Sequence, residues 1–397
     1  MSDSERRRSW RASRRTRLKG SDFRASLTRV DGAAGTRTGG DSIAFMGVAE
    51  ITSSTRAYGH MGRASRFLWR DLRLEKPWRY KLPFLLTLFY LQAAQGAFGL
   101  GRALLTLAAS LSTIVGIAGL AYLSNDFSDQ APDSMAGKPN AAARLGAFPM
   151  AALSLALLLA ALAPWGLVFP VTPTSATLLC VEFMLVAAYA LPPLRLKERG
   201  AAGVIADALY AHAIPTLLAT LTYLAMFRTG SDLRWPFLGA LAAWQVALGV
   251  RNIVLHQIQD YDHDRRGNLR TWVVRVGPST AERLLRRLIV PLELFGFTAF
   301  VAAITPWIPL TLPAFLLHAL LARRQGSEAP WNSTDLRGTL YAYLDLFYLR
   351  WLPLLAVTAA VFRDASFILV LLIHILLSPD LWPRHEPPGG KALAESA

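Results

Sequence analysis

The sequence has one cysteine, Cys180, so no disulfide can form within the chain. It is also short of charge, with Asp, Glu, Lys and Arg making up 17% of 397 residues against 53% hydrophobic residues, and its mean hydropathy is +0.32. That is too apolar for an ordinary soluble protein of this length. Acids are scarcer than bases, 27 against 42, for a formal net charge of +15. Such an excess would suggest a nucleic-acid partner, but its distribution argues against one. Residues 1–70 alone hold 15 Lys or Arg against 6 Asp or Glu, including Arg6-Arg7-Arg8 and Arg14-Arg15, with few large apolar residues. This composition predicts a disordered N-terminal extension. It reads as a start placed ahead of Met46 or Met61, and otherwise as a targeting segment or an arm that touches anionic lipid. Cys180 lies in an apolar run and is expected to be a small buried residue.

A helix needs about 20 apolar residues to cross the hydrocarbon. Such runs are read at 81–99, 102–123, 146–168, 174–191, 202–226, 236–257 and 288–306, with a short candidate at 308–322 and a last run, 349–378, divided by Arg363-Asp364. Nothing alternates as a barrel strand would. The expected fold is an all-α polytopic membrane bundle of nine or ten helices over 71–380, with a short polar tail at 381–397. Leu72 to Arg79 forms a charged and aromatic collar at headgroup level. The connections after the even-numbered spans carry Lys138 and Arg144, then Arg195, Lys197 and Arg199, then seven arginines from Arg265 to Arg287, then Arg323 and Arg324. The opposite loops have little beyond Arg228 and Arg234, so the basic set is placed in the cytoplasm.

Two of these basic connections begin with acids. In Asn125-Asp126-Phe127-Ser128-Asp129-Gln130-Ala131-Pro132-Asp133 the carboxylates are three and four apart, which aligns them on one helix face until Pro132 frays it. Clustered carboxylates without thiol or imidazole suit a hard cation, and Mg2+ held in this way usually keeps a phosphate ligand. Asp260-Tyr261-Asp262-His263-Asp264 follows the sixth span about four helices later, which hints at an internal repeat without sequence self-similarity.

Arg251, Asn252, His256, Gln259, Asp260 and His263 form a polar stripe on the sixth span that must line either a cavity or a helix interface. His256 taken alone reads as a packed, hydrogen-bonded residue. On the fifth span Asp207, Tyr210 and His212 form a looser group, and snorkelling would account for Asp207 equally well. The loop Tyr189 to Gly200 is stiffened by Pro192-Pro193 and offers Arg195, Lys197 and Arg199. An ordinary positive-inside loop would explain those cations, but not their sharing a membrane face with two acidic clusters. Acids that hold Mg2+ and cations beside them together suit a diphosphate.

In this combination the chain resembles the UbiA family of intramembrane prenyltransferases. Asn125-Asp126-x-x-Asp129-x-x-x-Asp133 matches the first acidic motif of that family, and Asp260-x-x-x-Asp264 followed by Arg265, Gly267 and Thr271 is similar to the second. Tyr189 to Gly200 resembles its Tyr-x-x-Pro-Pro-x-Arg-Leu-Lys loop, and Leu72 to Pro77 the segment before its first helix. The resemblance covers residues 72–277. It implies a Mg2+ site made by Asn125, Asp126, Asp129 and Asp133 on one side and by Asp260 and Asp264 on the other. Arg195 and Lys197 would contact the diphosphate. Tyr189, Lys138, Asn252 and His256 would line the substrate site. Lys138-Pro139 departs from the Arg-Pro common in the family, keeping a charge but losing a bidentate fork. Asp262 is either a further ligand or a solvated acid.

The chemistry implied is transfer of a prenyl group from its isoprenoid diphosphate to an aromatic or other small acceptor, with Tyr122, Tyr189 and Tyr210 able to steady an allylic cation. Cyclisation of the prenyl chain would begin with the same ionisation. A cation- or proton-coupled transporter would place acids at the bilayer midplane, whereas these lie at helix ends. An alcohol phosphatidyltransferase would need an Asp-Gly and Ala-Arg arrangement ahead of its acids, which is missing. The expected setting is a bacterial cytoplasmic membrane with the acidic motifs facing the cytoplasm and membrane lipid around the bundle; the sequence is silent on oligomeric state.

Overall fold

The computed structural model describes residues 72–96, 99–137, 140–227, 235–324 and 340–378. The chain divides into Met1–Met61 and Gly62–Ala397, and every described residue lies in the second part. The basic leader, the polar tail, Lys138, Arg228 and Arg234 therefore fall outside the described residues.

The described residues are helical, without strands. Seven helices are long and apolar enough to cross a membrane: α2 (Leu100–Ser128), α3 (Ala147–Leu167), α4 (Pro173–Ala190), α5 (Ala201–Phe227), α6 (Trp235–Gln259), α7 (Pro278–Ile304) and α9 (Tyr343–Arg363). Three shorter apolar helices accompany them: α1 (Leu82–Gln95), α8 (Thr311–Leu321) and α10 (Ala365–Leu377). Backbone groups satisfied within each helix make this the economical form for apolar runs in lipid. Local signals set several boundaries. Thr172 and Ser175 form a reciprocal capping box ahead of α4, with Pro173 at its first position. The Asp364 carboxylate accepts from the Ser366 amide and starts α10, so Arg363-Asp364 does divide the last apolar run.

The helices pair α2 with α3, α6 with α7 and α9 with α1. Trp244 of α6 sits at the centre, fully buried, with ring centroids 4.9 Å from Phe84 of α1, 4.9 Å from Phe297 and 5.0 Å from Phe300 of α7, and 4.9 Å from Tyr348 of α9. Elsewhere small residues let backbones touch. A Cβ on Gly116 would lie 2.3 Å from the Ala161 amide nitrogen, and one on Gly249 would lie 2.7 Å from the Ala208 Cα. The outside is apolar, with Leu155, Leu159 and Leu162 on α3, Leu292 and Phe295 on α7, and Leu316 and Leu320 on α8 all exposed. In lipid that is where apolar side chains belong. Cys180 is exposed on the same kind of surface, not buried as its apolar setting predicts.

Two boundaries differ from the sequence reading. α2 runs on through Asn125 and Asp126 to Ser128, and the helix breaks at Asp129 before a short helix, Gln130–Ala136, that contains Pro132. α7 begins at Pro278, ten residues before its apolar run, because Arg283, Arg286 and Arg287 lie on its exposed first turns and mask it in a hydropathy scan.

Candidate active site

The end of α2 carries the first acidic motif into the protein interior. Asp126 is 1% exposed, and its two oxygens are taken by the Arg73 guanidinium and by the Ala141 amide at 3.1 Å. Arg73 comes from the collar, in a left-handed backbone conformation with φ 55°, and its guanidinium also lies 5.2 Å from the Tyr122 ring centroid. Asn140 ties the motif together, donating to the Asp126 carbonyl at 2.8 Å and to the Asp133 carboxylate at 2.7 Å. Neither Arg73 nor Asn140 stood out in the sequence as a site residue.

The basic loop closes onto the same motif. Lys197 is buried, and its ammonium reaches Asn125 Oδ1 at 2.8 Å and Asp129 Oδ1 at 2.5 Å. Arg195 donates to Asp129 Oδ1 at 2.9 Å and to the Ser128 carbonyl at 2.7 Å, and it also pairs with Glu198. Burial pulls the Lys197 ammonium below the usual lysine range, with the Asp129 carboxylate as the largest opposing influence. Arg199, the third cation of the loop, turns away to the Pro193 carbonyl.

The second motif follows α6 in a short helix, Tyr261–Arg266. It packs directly on the short helix of the first motif, where Gly267 comes so close that a Cβ would lie 3.4 Å from the Pro132 carbonyl oxygen. Asp264 is buried and accepts from the Thr271 hydroxyl at 3.1 Å; Asp260 is partly exposed; Asp262 is exposed beside Arg265 and Arg266. Tyr189 stands at the end of α4, just before the basic loop. The loop and the second motif are also tied, since Arg275 donates to the Glu198 carbonyl at 2.6 Å. The two acidic motifs and the basic loop thus share one end of the bundle.

These donors are oxygens of the kind a hard divalent cation takes, so the chemistry of the set fits Mg2+. Among the described residues no group of three or more His, Cys, Asp or Glu side chains stands close enough to hold an ion. Asp126 pairs with Arg73, and Asp129 with Arg195 and Lys197.

Further into the bundle the polar stripe of α6 divides by face. Arg251 is fully buried and joins three helices, donating to Glu293 of α7 at 2.7 Å and to Asp345 of α9 at 2.6 Å. Asn252, partly exposed, faces His212 of α5 at 3.5 Å. The His256 side chain is not packed as expected but 56% exposed, with Nε2 3.9 Å from Asp260. Asp207 does not snorkel. It is turned towards Tyr210, whose hydroxyl donates to it at 2.9 Å, and the Tyr210 ring lies 5.1 Å from that of Tyr189. Lys81, which the sequence presents only as the first residue of a span, contacts the His212 imidazole.

The family model described as the UbiA prenyltransferase family matches residues 82–338. Among solved structures, the chain is similar to a UbiA homologue from Archaeoglobus fulgidus bound to DMAPP and Mg2+, with 16% identity and a TM-score of 0.48 over 77% of this chain and 99% of that one. The same homologue bound to GPP and Mg2+ gives 15% identity and a TM-score of 0.49 over 77% and 99%. Bound to Cd2+ it gives 16% identity and a TM-score of 0.47 over 73% and 98%. No curated protein matches the chain. With its seven long apolar helices and a family match across most of its length, this integral membrane protein belongs to the UbiA prenyltransferase family.

Proposed function

We propose that the chain is a Mg2+-dependent intramembrane prenyltransferase that moves the prenyl group of an isoprenoid diphosphate to a small acceptor, aromatic or otherwise, and releases diphosphate. One observation carries the reading: the short acidic helices that follow α2 and α6 pack on each other, and the loop holding Lys197 and Arg195 closes onto Asp129 of the first. Asp126, Asp129 and Asp133 would hold the metal from one side and Asp260 and Asp264 from the other, with Asn125 beside them. Bound there, Mg2+ would draw charge onto the leaving diphosphate. Lys197 and Arg195, now paired with Asp129, would turn to the diphosphate oxygens once the carboxylate takes a metal. Lys138, which follows the first motif, is assigned to the same anion. Tyr122, Tyr189 and Tyr210 would face the allylic carbon, where aromatic rings steady positive charge. Asn252 and His256 would line the substrate space along α6. The apolar bundle would house the isoprenoid tail and keep water from the cation. The arginine-rich loops support a cytoplasmic setting for this mouth.

The test is to incubate membranes containing the chain with labelled prenyl diphosphates of several lengths, with and without Mg2+, and to extract the lipid. A labelled adduct formed only with Mg2+ is expected, and its mass gives chain length and acceptor. A cyclised hydrocarbon without acceptor would assign the same site to a cyclase. Absence of Mg2+-dependent diphosphate release from every substrate would refute the reading.

A further inference from the structure

The end of the bundle away from the acidic motifs holds a cavity of about 370 Å³, lined by residues from the end of α1, the turn after α7 and the end of α9. Its place follows from the path of the chain. α2 starts at Leu100, shortly after α1 ends at Gln95, and runs on into the first acidic motif, while α7 starts beyond the second motif and ends at Ile304. Gln95 and Trp307 therefore stand at the far ends of their helices, and Arg363 joins them from the end of α9. In a membrane this level is the head-group layer of the leaflet opposite the acids.

Three polar groups line the cavity, and each has hydrogen-bonding capacity to spare. Among the described residues the Arg363 guanidinium has no hydrogen-bond or ion-pair partner, and the neighbouring Asp364 carboxylate turns instead to the Ser366 amide. The Trp307 indole N–H has none among them either, although in a head-group layer such a donor usually finds a polar partner. Gln95 spends a side-chain N–H on the Leu91 carbonyl at 3.1 Å, which leaves its own carbonyl oxygen to accept. Phe362, also in the lining, is exposed. α1, α7 and α9 all end here, and each C-terminus adds partial negative charge.

An arginine in a last turn offsets the end of its own helix, and a tryptophan at an interface is ordinary. Neither accounts for a space of ligand size between three helix ends, with two donors and an acceptor left over. We propose that this cavity binds a membrane phospholipid whose head group carries an ammonium beside its phosphate, of the phosphatidylethanolamine type. The phosphate would take the Arg363 guanidinium and the Trp307 N–H. The ammonium would take the Gln95 carbonyl oxygen and the negative ends of the helices, and an acyl chain would lie along Phe362. A lone cation would meet Arg363, and a bare anion would meet three helix C-termini, so the zwitterion suits the charges better than either. The site is independent of the reaction at the other end of the bundle.

The experiment uses the full chain, stripped of lipid in detergent and titrated in native mass spectrometry with four probes. These are dioleoyl phosphatidylethanolamine, dioleoyl phosphatidylglycerol, which keeps the phosphate without the ammonium, dioleoylglycerol, which has neither, and inorganic phosphate. Phosphatidylethanolamine should give a first adduct that saturates, with phosphatidylglycerol about threefold or more weaker and dioleoylglycerol about tenfold or more. Arg363→Gln should weaken that adduct about tenfold, the size of one charged hydrogen bond. Trp307→Phe, which keeps a ring and loses the N–H, should weaken it about threefold and serves as the deciding variant if Arg363→Gln does not fold. Arg283→Gln, which removes an exposed cation at the opposite end of α7, should leave it unchanged. Parent-like affinity in Arg363→Gln, an equal loss in Arg283→Gln, or phosphatidylglycerol or dioleoylglycerol bound as tightly as phosphatidylethanolamine would overturn the proposal. So would displacement of the lipid by an equal concentration of inorganic phosphate, which would make the cavity a site for the free anion.

Discussion

Replacing Lys197 by Met removes an ammonium that stands 2.8 Å from Asn125 Oδ1 and 2.5 Å from Asp129 Oδ1. Without substrate the cost should be small. Asp129 keeps Arg195 at 2.9 Å, so its carboxylate is not orphaned, and the methionine carries no charge to bury. With a diphosphate bound the variant lacks one charge-assisted hydrogen bond, worth about 1.5–3 kcal/mol. That corresponds to a rise of roughly 10- to 150-fold in the dissociation constant for geranyl diphosphate measured with Mg2+ by calorimetry. The melting temperature in detergent should stay close to the parent's. A folded Lys197→Met chain whose dissociation constant moves less than about threefold would refute the reasoning, because Lys197 would then serve only as a partner for Asp129.

Lys197 also gives the site a pH dependence. Burial lowers its pKa, and the ammonium is charged below that value, so its contribution to diphosphate affinity is complete at lower pH and fades as pH rises through a range beneath that of free lysine; titration of the geranyl diphosphate affinity should show this fade and Lys197→Arg should remove it. Arg251→Met leaves Glu293 buried without its cation and should cost about 3–5 kcal/mol, read as a fall in melting temperature, while adding Glu293→Gln should recover much of the loss. Gly249→Val puts a side chain where a Cβ already lies 2.7 Å from the Ala208 Cα, so α5 and α6 must part and the melting temperature should fall; a variant with unchanged melting would contradict the close packing.

The helical bundle was legible because apolar runs of the required length have few other uses, and the acidic motifs because their spacing fixes a face. What stayed hidden depended on pairings across the chain. Arg73 reaches Asp126 from 53 residues away, and a collar of mixed charge gives no sign of which arginine turns inward. The inward turn of Lys81 onto His212 was unreadable because a lysine at the start of a span usually snorkels. His212 and Asp207 were visible as polar residues in a span, but the π-helical turn that carries His212, Leu209–Ala213, has no sequence signature. Arg251 belonged to a readable stripe, yet its partners Glu293 and Asp345 come from helices 42 and 94 residues on. Cys180 shows the reverse error, since a small apolar residue in a membrane helix is as much at home facing lipid as facing the core.

The central claim is that both acidic motifs act on one diphosphate through shared metal. Its most direct test is Mg2+-dependent diphosphate release from geranyl diphosphate by Asp126→Ala, Asp260→Ala and the double variant, each confirmed to be in the membrane. The account predicts that either single substitution abolishes release and that the double is no worse than the singles, as expected of residues acting as a unit. Parent-like turnover in either single variant would contradict it.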